Sequence, residues 1–467
     1  MSYPRLVPVS LGVIFLILVF LPAADCRGQG NATTVQLPTF GIAIDAEGVV
    51  THRAVIDQGG RLRAQAAAAA RAALPGPVQR SSPRRVISLR GLEAAISDKL
   101  EAGEPIDDTL RHLAGLTRLE MLVLDRDRGD ILLAGPAEGW MIDPAGRAIG
   151  LESGRPMLHL DDLLTALRAF APGAPAAPFI GCTIDPSAEG LERLREFQKT
   201  VPRTIRNDQR DAAAVWMASG CREALGNSQV RVFGIPADSH MAQVLIEADY
   251  RMKLIGIGLE PPPVKMATFL GTLRSPQEAT LQRWWFTPNY QCLRVTEDRA
   301  ALELVGRGVQ LQGEDKQIAG DGSLVDAGGK QGQASLLFTT AFTEKYEEIA
   351  EAAPVYTQLR GVVDWLVAAA FLRRENWTGL ADLRLELLLD SRRLPLAELP
   401  TPKQAPCAVN ALWKGSRLMA PAGGGVSISP EQALAAENLL SDESGSLAAA
   451  SKTLRERAEE AWWWDVR

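Results

Sequence analysis

Leu11 to Leu21 is an unbroken apolar run, preceded by the cation Arg5 and followed by the small residues Ala23 and Ala24 and the polar Asp25, Arg27, Gly28 and Gln29. A charge, an apolar core of about 11 residues and then small residues is the order of a secretory signal, and the run is shorter than the roughly 20 residues that cross a bilayer. Residues 1–26 are therefore set aside as a signal peptide, and the fold has to be built from the residues beyond it. A retained N-terminal anchor is the alternative. Cys26 raises a lipoprotein signal, against which Asp25 stands where such signals place a small residue. No later stretch reaches about 18 unbroken apolar residues, so no transmembrane segment is expected after cleavage, and the protein is expected to be exported to the periplasm or the medium.

The 467 residues are about three times an ordinary domain of ~150. Apolar residues at 46% and charged residues at 23% exclude wholesale disorder, collagen and coiled coil. Fifty Lys and Arg against 56 Asp and Glu give a net charge of −6, which disfavours a nucleic-acid partner. Four cysteines remain if Cys26 leaves with the signal: Cys182, Cys221, Cys292 and Cys407. They allow three disulfide pairings or a set of free, buried thiols, and they lack the Cys-x-x-Cys spacing of a zinc ribbon.

Local patterns divide the remainder. Phe40 to Thr51 spells a hairpin turning at Asp45-Ala-Glu-Gly48, and Gly139 to Gly146 repeats its spelling. Helices are expected over Leu62–Leu74, from a Ser88 cap to Glu101, over Asp108–Leu116 and over Asp161–Phe170, with strands at Leu119–Leu124 and Asp130–Gly135. Residues 171–178 form a Pro/Ala linker. Beyond it come a strand at Phe179–Ile184, a helix opened by Asp185-Pro186, a helix over Asp208–Leu225, a strand at Val230–Ile235 and a helix capped by Ser239. Leu254–Leu259 reads as a further strand and the Asp249/Lys253 spacing as an ordinary helix-surface pair. A β-meander over Trp284–Gly313 and a glycine-rich loop at Gly320–Gly332 precede helices broken at Pro354, short strands around Cys407–Met419, a turn at Gly423–Gly425 and a terminal helix from Ser429. The fold class expected is mixed α/β: an α+β domain with hairpins over 37–170, an α/β body over 179–313 and a mainly helical part over 314–467.

The chemistry-bearing residues are scattered. The histidines are His52, His112, His159 and His240, without the spacing of a metal site, so no metal and no cofactor are expected. Gly-x-Ser-x-Gly, the P-loop and the dinucleotide-binding glycine fingerprint are absent. A Cys182 or Ser239 nucleophile with His240 as base would need the two side chains within hydrogen-bond reach; a strand-borne structural cysteine and a plain helix cap are the competing readings. Trp284 and Trp285 could stack a sugar, although consecutive residues on a strand face opposite sides. Trp462 to Trp464 read as an apolar tail docked on its own protein.

The segments Gly-Ile-Ala-Ile-Asp-Ala-Glu-Gly48, Asp-Ile-Leu-Leu-Ala-Gly-Pro-Ala-Glu-Gly-Trp140, Ile-Gly-Cys-Thr-Ile-Asp-Pro186 and Ala-Asp-Tyr-Arg-Met-Lys253 together resemble an exported bacterial family of planctomycete type known only as a domain of unknown function. The resemblance runs from about Phe40 to at least Trp377. It implies export and lends no catalytic residue. The function expected is therefore a non-enzymatic envelope protein that binds or scaffolds a macromolecular partner; the alternative is the divergent hydrolase built on Cys182 or Ser239 with His240.

Overall fold

A computed structural model describes residues 39–175, 177, 179–202, 205–273, 281–318, 324–326, 332–410 and 422–466. The expected signal peptide with Cys26, and most of the glycine-rich loop, lie outside these residues. The strands are β1 (Thr39–Ile44), β2 (Val50–Val55), β3 (Ser82–Ser88), β4 (Met121–Asp125), β5 (Asp130–Ala137), β6 (Trp140–Ile142), β7 (Ala148–Gly150), β8 (Ile180–Asp185) and β9 (Asn227–Phe233). They continue with β10 (Leu281–Pro288), β11 (Leu293–Val295), β12 (Ala301–Leu304), β13 (Val309–Ile318), β14 (Leu324–Asp326), β15 (Gln404–Pro406), β16 (Ala422–Ile428), β17 (Leu439–Ser441) and β18 (Trp463–Asp465). The principal helices are α1 (Arg61–Ala73), α2 (Leu89–Glu101), α3 (Leu160–Ala169), α4 (Ala188–Thr200), α5 (Arg210–Leu225), α6 (His240–Gly256), α7 (Gln333–Glu344), α8 (Tyr346–Ala352), α9 (Pro354–Arg374) and α10 (Ser446–Glu456). The fold is mixed α/β, as the sequence pattern requires.

Two seven-stranded sheets carry it. The first has the order β17-β11-β12-β4-β5-β3-β18, the second β14-β13-β10-β16-β8-β9-β15. Both are antiparallel except at the β11/β17 and β10/β16 pairs. β1/β2 and β6/β7 stand apart as the two hairpins of similar spelling. Each sheet draws strands from both sides of the linker at 171–178 or of the boundary at 313: β11 and β12 join β4 in the first, and β16 lies between β10 and β8 in the second. The boundaries read at 170 and 313 are thus crossed by the sheets, and Gln36–Arg467 forms one unit.

Strand periodicity explains how the first sheet is covered twice. Leu122, Leu124, Ile131 and Leu133 face the main core, and Val123, Leu132 and Ala134 face a smaller one closed by Leu447 and Leu454 of α10 and by Trp464. The main core continues through α6 and α9. From Val244 to Gly256 every residue of α6 is buried, which is the signature of a helix packed on all sides. The strand expected at Leu254–Leu259 is instead the last turn of α6 and its exit; Leu254 and Ile255 extend the apolar surface, and Gly256 stops where a Cβ would stand 2.6 Å from the Trp284 ring. Among the described residues α9 has the length and mean hydropathy (1.2) of a membrane span, and 78% of that window is buried inside the fold.

Three further expectations are corrected by local chemistry. Ser187, not Asp185, caps α4, accepting from the Gly190 amide at 3.0 Å. Gly423–Gly425 is not a turn but part of β16: a Cβ on Gly425 would lie 1.9 Å from the Cys182 carbonyl oxygen, and one on Gly424 2.0 Å from that of Trp284. Past Ser429 the chain forms short pieces, then β17, α10 and β18, rather than one helix. Gly425→Ala is expected to destabilise the fold by about 3 kcal/mol or more through overpacking, whereas Gly76→Ala, with nothing within 4 Å of the new Cβ, should shift stability by less than about 1 kcal/mol. Urea unfolding of the two variants checks the contrast.

Candidate functional site

The site grows out of the sequence of α6. Glu247/Arg251 and Asp249/Lys253 are two i,i+4 pairs offset by two residues, and two residues turn a helix by about 200°, so the pairs point to opposite sides. The Asp249/Lys253 pair faces the second sheet. Its side chains are 0% and 1% exposed, so it is a core pair and not the surface pair expected. Lys253 Nζ donates to Asp249 Oδ2 at 2.7 Å and to the carbonyls of Ile184 at 3.0 Å and Gly424 at 3.3 Å. Burial pushes the Asp249 carboxyl up to about 6, against the opposing pull of the Lys253 charge.

The Glu247/Arg251 side faces the hairpins and forms a chain of charges. Arg147, at the start of the β7 arm, donates to Glu247. Arg251 donates to Glu247 at 3.2 Å and to Glu260 at 2.8 and 3.1 Å. Glu260 in turn meets His52 Nε2 of β2 at 2.9 Å. The Phe40 carbonyl of β1 accepts from Arg147 at 3.2 Å and from Arg251 at 3.4 Å. Burial works against the Arg251 charge, but the charge and hydrogen bonds of Glu260 outweigh it and raise the guanidinium pKa. Above this chain opens a cleft of about 230 Å³. Arg251 and Glu260 form its floor, Phe40, Asp143 and Pro261 line its walls, and the exposed Arg63 stands at its rim.

At the other end of α6, three of the four histidines meet. The rings of His240 and His159 stack with centroids 4.2 Å apart, and His112 meets His159 edge-on at 5.1 Å. His240 Nδ1 lies 2.9 Å from Asp162 Oδ2. Gln358 accepts from Arg147 Nε at 3.1 Å and turns its amide nitrogen to His240 Nε2 at 3.4 Å, where the neutral ring accepts. Burial disfavours the charged form of His240, but the Asp162 charge and hydrogen bond, with the Asp161 charge, outweigh it and raise the pKa above its ordinary value. Burial lowers His112 to about 4 and His159 well below the ordinary range. Stacked rings do not converge their nitrogens on one point, and among the described residues no group of His, Cys, Asp or Glu is arranged to hold a metal.

The residues singled out in the sequence are distributed differently from the hydrolase geometry. Cys182 is fully buried, and burial pushes its thiol well above the usual range; the charges beside it are Asp249 and Lys253. Asp249 lies nine residues along α6 from His240, about 13 Å of helical rise. Ser239 Oγ donates to the Pro236 carbonyl at 2.7 Å and accepts from the Ala242 amide at 3.2 Å, which makes it the helix cap. Both nitrogens of His240 face other partners, so neither candidate nucleophile is coupled to it. Trp284 is 0% exposed and donates to Ser335 at 2.9 Å, so it lines no groove. Trp285, on the other face of β10, is half-buried under the Arg283 guanidinium, 4.9 Å from its ring. Cys182, Cys221, Cys292 and Cys407 are all free thiols. The histidine stack and the links of the ion chain to Arg147 and His52 were missed in the sequence because they join residues about 50 to 200 positions apart, the Arg147–Glu247 and His52–Glu260 contacts spanning 100 and 208 residues. The one available signal was Glu247-Ala-Asp-Tyr-Arg-Met-Lys253 itself, whose apolar flanks leave no solvent face for four charges.

A family model described as a protein of unknown function, DUF1598, matches residues 182–269. No curated protein and no solved structure matches the chain. The matched stretch contains all of α6 and Glu260, and so holds the acidic and basic members of both ion clusters that α6 contributes.

These burial states have two measurable consequences. Lys253→Met leaves Asp249 without its hydrogen-bonded cation and should cost roughly 3–5 kcal/mol, and adding Asp249→Leu should restore part of that; chemical denaturation of both variants measures it. His112 is neutral in the fold, so unfolding takes up a proton between its folded value of about 4 and its unfolded value of about 6.5. Stability contributed by this neutral ring is therefore present above pH 6.5 and lost as the pH falls toward 4. His112→Phe should remove roughly 2 kcal/mol of that pH dependence, read as the change in the stability gap between the two proteins from pH 7 to pH 4.5.

Proposed function

We propose that the protein is exported and acts in the cell envelope as a binding or scaffolding protein, holding a polar unit of an envelope partner in the cleft above the Arg147–Glu247–Arg251–Glu260 chain. The observation that carries this reading is the state of the cleft floor. Arg251 and Glu260 are held by one another and by their neighbours, so they fix the base of a preformed recess whose shape and charge do not depend on a ligand, the property of a recognition site. Phe40, Asp143 and Arg63 add an aromatic ring and charges of both signs, which suits a ligand rich in hydroxyl or amide groups. Export, and a source among bacteria of planctomycete type, rest on the apolar leader and on the resemblance carried by the segments ending at Gly48, Trp140, Pro186 and Lys253. The alternative of a divergent hydrolase retains one supporting observation, the Asp162–His240 pair at 2.9 Å.

Cosedimentation of the purified mature chain with isolated cell-wall and envelope fractions tests the reading. Saturable binding is expected, and Arg63→Glu should weaken it about tenfold or more while leaving thermal stability within the range of a surface change. Absence of binding to any envelope fraction overturns it. So does hydrolysis of peptides, esters or glycans that disappears in His240→Ala, and so does recovery of the chain from cytosol with its leader intact.

A further inference from the structure

A second cleft, of about 220 Å³, opens beside α9 and is lined by Thr117, Arg118, Arg155, Glu347, Arg360 and Asp364. It shares Glu351 with the cleft above the ion chain and otherwise stands on different residues. Arg155 and Glu351 pair with each other at 3.1 Å. The remaining charged groups are unevenly used. Arg118 makes one hydrogen bond, from Nη2 to the Leu304 carbonyl at 3.2 Å, and Arg360 makes one, to the Gly306 carbonyl. The Nε–H of each is buried with no partner among the described residues. Each guanidinium carries five donors, so most of this capacity is unspent.

Asp364, in the middle of α9, has a side chain 2% exposed, and its Oδ2 has no hydrogen-bond partner among the described residues. Its nearest cation, Arg360 Nε, is 3.7 Å away, beyond hydrogen-bond length. The loop after β12 turns against these groups at Gly308, whose φ of +73 favours glycine; a Cβ there would be in ordinary contact with Arg360 Nε at 3.4 Å and Asp364 Oδ1 at 3.5 Å. A buried donor or acceptor left unsatisfied is costly. Here two cations with spare donors border the same recess as two carboxylates, Asp364 buried at its base with spare acceptors and Glu347 exposed at its edge. Their complement is a molecule with a carboxylate at one end and an ammonium beside it.

We propose that this cleft binds a small zwitterion of the α-amino-acid type, its carboxylate held by Arg118 and Arg360 and its ammonium group by Asp364. A plain anion would satisfy the arginines but would face the Asp364 carboxylate; a plain amine would face two guanidinium groups. The proposal does not depend on the envelope-binding reading. Thr117 and Thr357, also at the cleft, already donate to the carbonyls of Pro136 and Ala350 and so present hydroxyl oxygens as further acceptors for the ammonium.

Titration calorimetry of the full mature chain with glycine and L-alanine, and separately with acetate and methylammonium, tests it. Glycine or alanine should bind saturably, and each single-charge probe should bind at least about tenfold more weakly. Burial raises the Asp364 carboxyl to about 6, with Arg360 and Arg118 pulling it down. Of the other titratable groups around it, Tyr346 and Cys292 are uncharged because burial raises both, Cys292 to about 12, while Glu347 and the Arg155–Glu351 pair stand on the exposed side of the cleft. Glycine affinity should therefore fall as the pH drops through 6, and Asp364→Asn should bind glycine at least about tenfold more weakly and lose that pH dependence. If Asp364→Asn does not fold, the wild-type pH profile and Arg118→Gln carry the test, the latter lowering glycine binding without unfolding the chain. No saturable binding of glycine or alanine up to about 10 mM, acetate binding as tightly as glycine, or an affinity unchanged between pH 7 and 5 each overturns the proposal.

Discussion

The fold is organised around charges placed where water is not. Arg147, Glu247, Arg251 and Glu260 come from a hairpin, two positions on one helix and the loop beyond it, and each is at most about a tenth exposed. Withdrawing one such group from water costs several kcal/mol, and the cost is offset only where every partner is present and correctly oriented. The two arginines and two glutamates cancel in charge, and their spare donors end on the Phe40 carbonyl. The chain therefore discriminates between arrangements: β1/β2 and β6/β7 can dock on α6 in this register or leave charges uncompensated. Apolar contacts alone would tolerate a slip, since they are non-directional.

The same helix applies this device twice. On its opposite side Lys253 threads between β8 and β16, ending on the Ile184 and Gly424 carbonyls as well as on Asp249. β16 can approach that closely only because it is glycine at three successive positions. The lysine, the glycines and the buried Cys182 opposite them form one interlocking unit, and this explains why the thiol is a packing element: the backbone that would have to move to expose it also coordinates the ammonium group. A nucleophile needs access and a base, and Cys182 has a sheet on one side and a salt bridge on the other.

What could be read from the sequence was the chemistry of single turns. Asp45 to Gly48, Ser88 and Ser239 announce a hairpin and two caps, because each is satisfied by neighbours within four residues. Asp249 and Lys253 carried the right spacing, but i,i+4 geometry is the same in water and in a core, so their burial was illegible. Leu254–Leu259 resembled a strand because glycines at 256 and 258 interrupt the helical pattern; the reason for Gly256 is Trp284, 28 residues later. The histidine stack was beyond reach for the same reason in stronger form, since nothing in the local sequence of His112, His159 or His240 refers to the others.

Long-range closure also explains why the chain does not fall into consecutive domains. The last strand, β18, pairs with β3 at the edge of the first sheet. There the fully buried Arg85 donates to Asp465 at 2.8 Å and to the Ala114 carbonyl at 2.6 Å, with its guanidinium 4.5 Å from the Trp463 ring. The tryptophan-rich tail is thus structural: Trp464 fills the minor core while Trp463 and Asp465 seat the arginine. An unpaired β3 would expose a row of backbone donors and acceptors next to a buried cation. Residues near both ends of the described chain must therefore meet before the first sheet is complete. A cut at the Pro/Ala linker would strand β4 without β12 and Arg147 without Glu247, so the segment that looks most like a domain boundary in composition is spanned by the contacts that the ion chain requires.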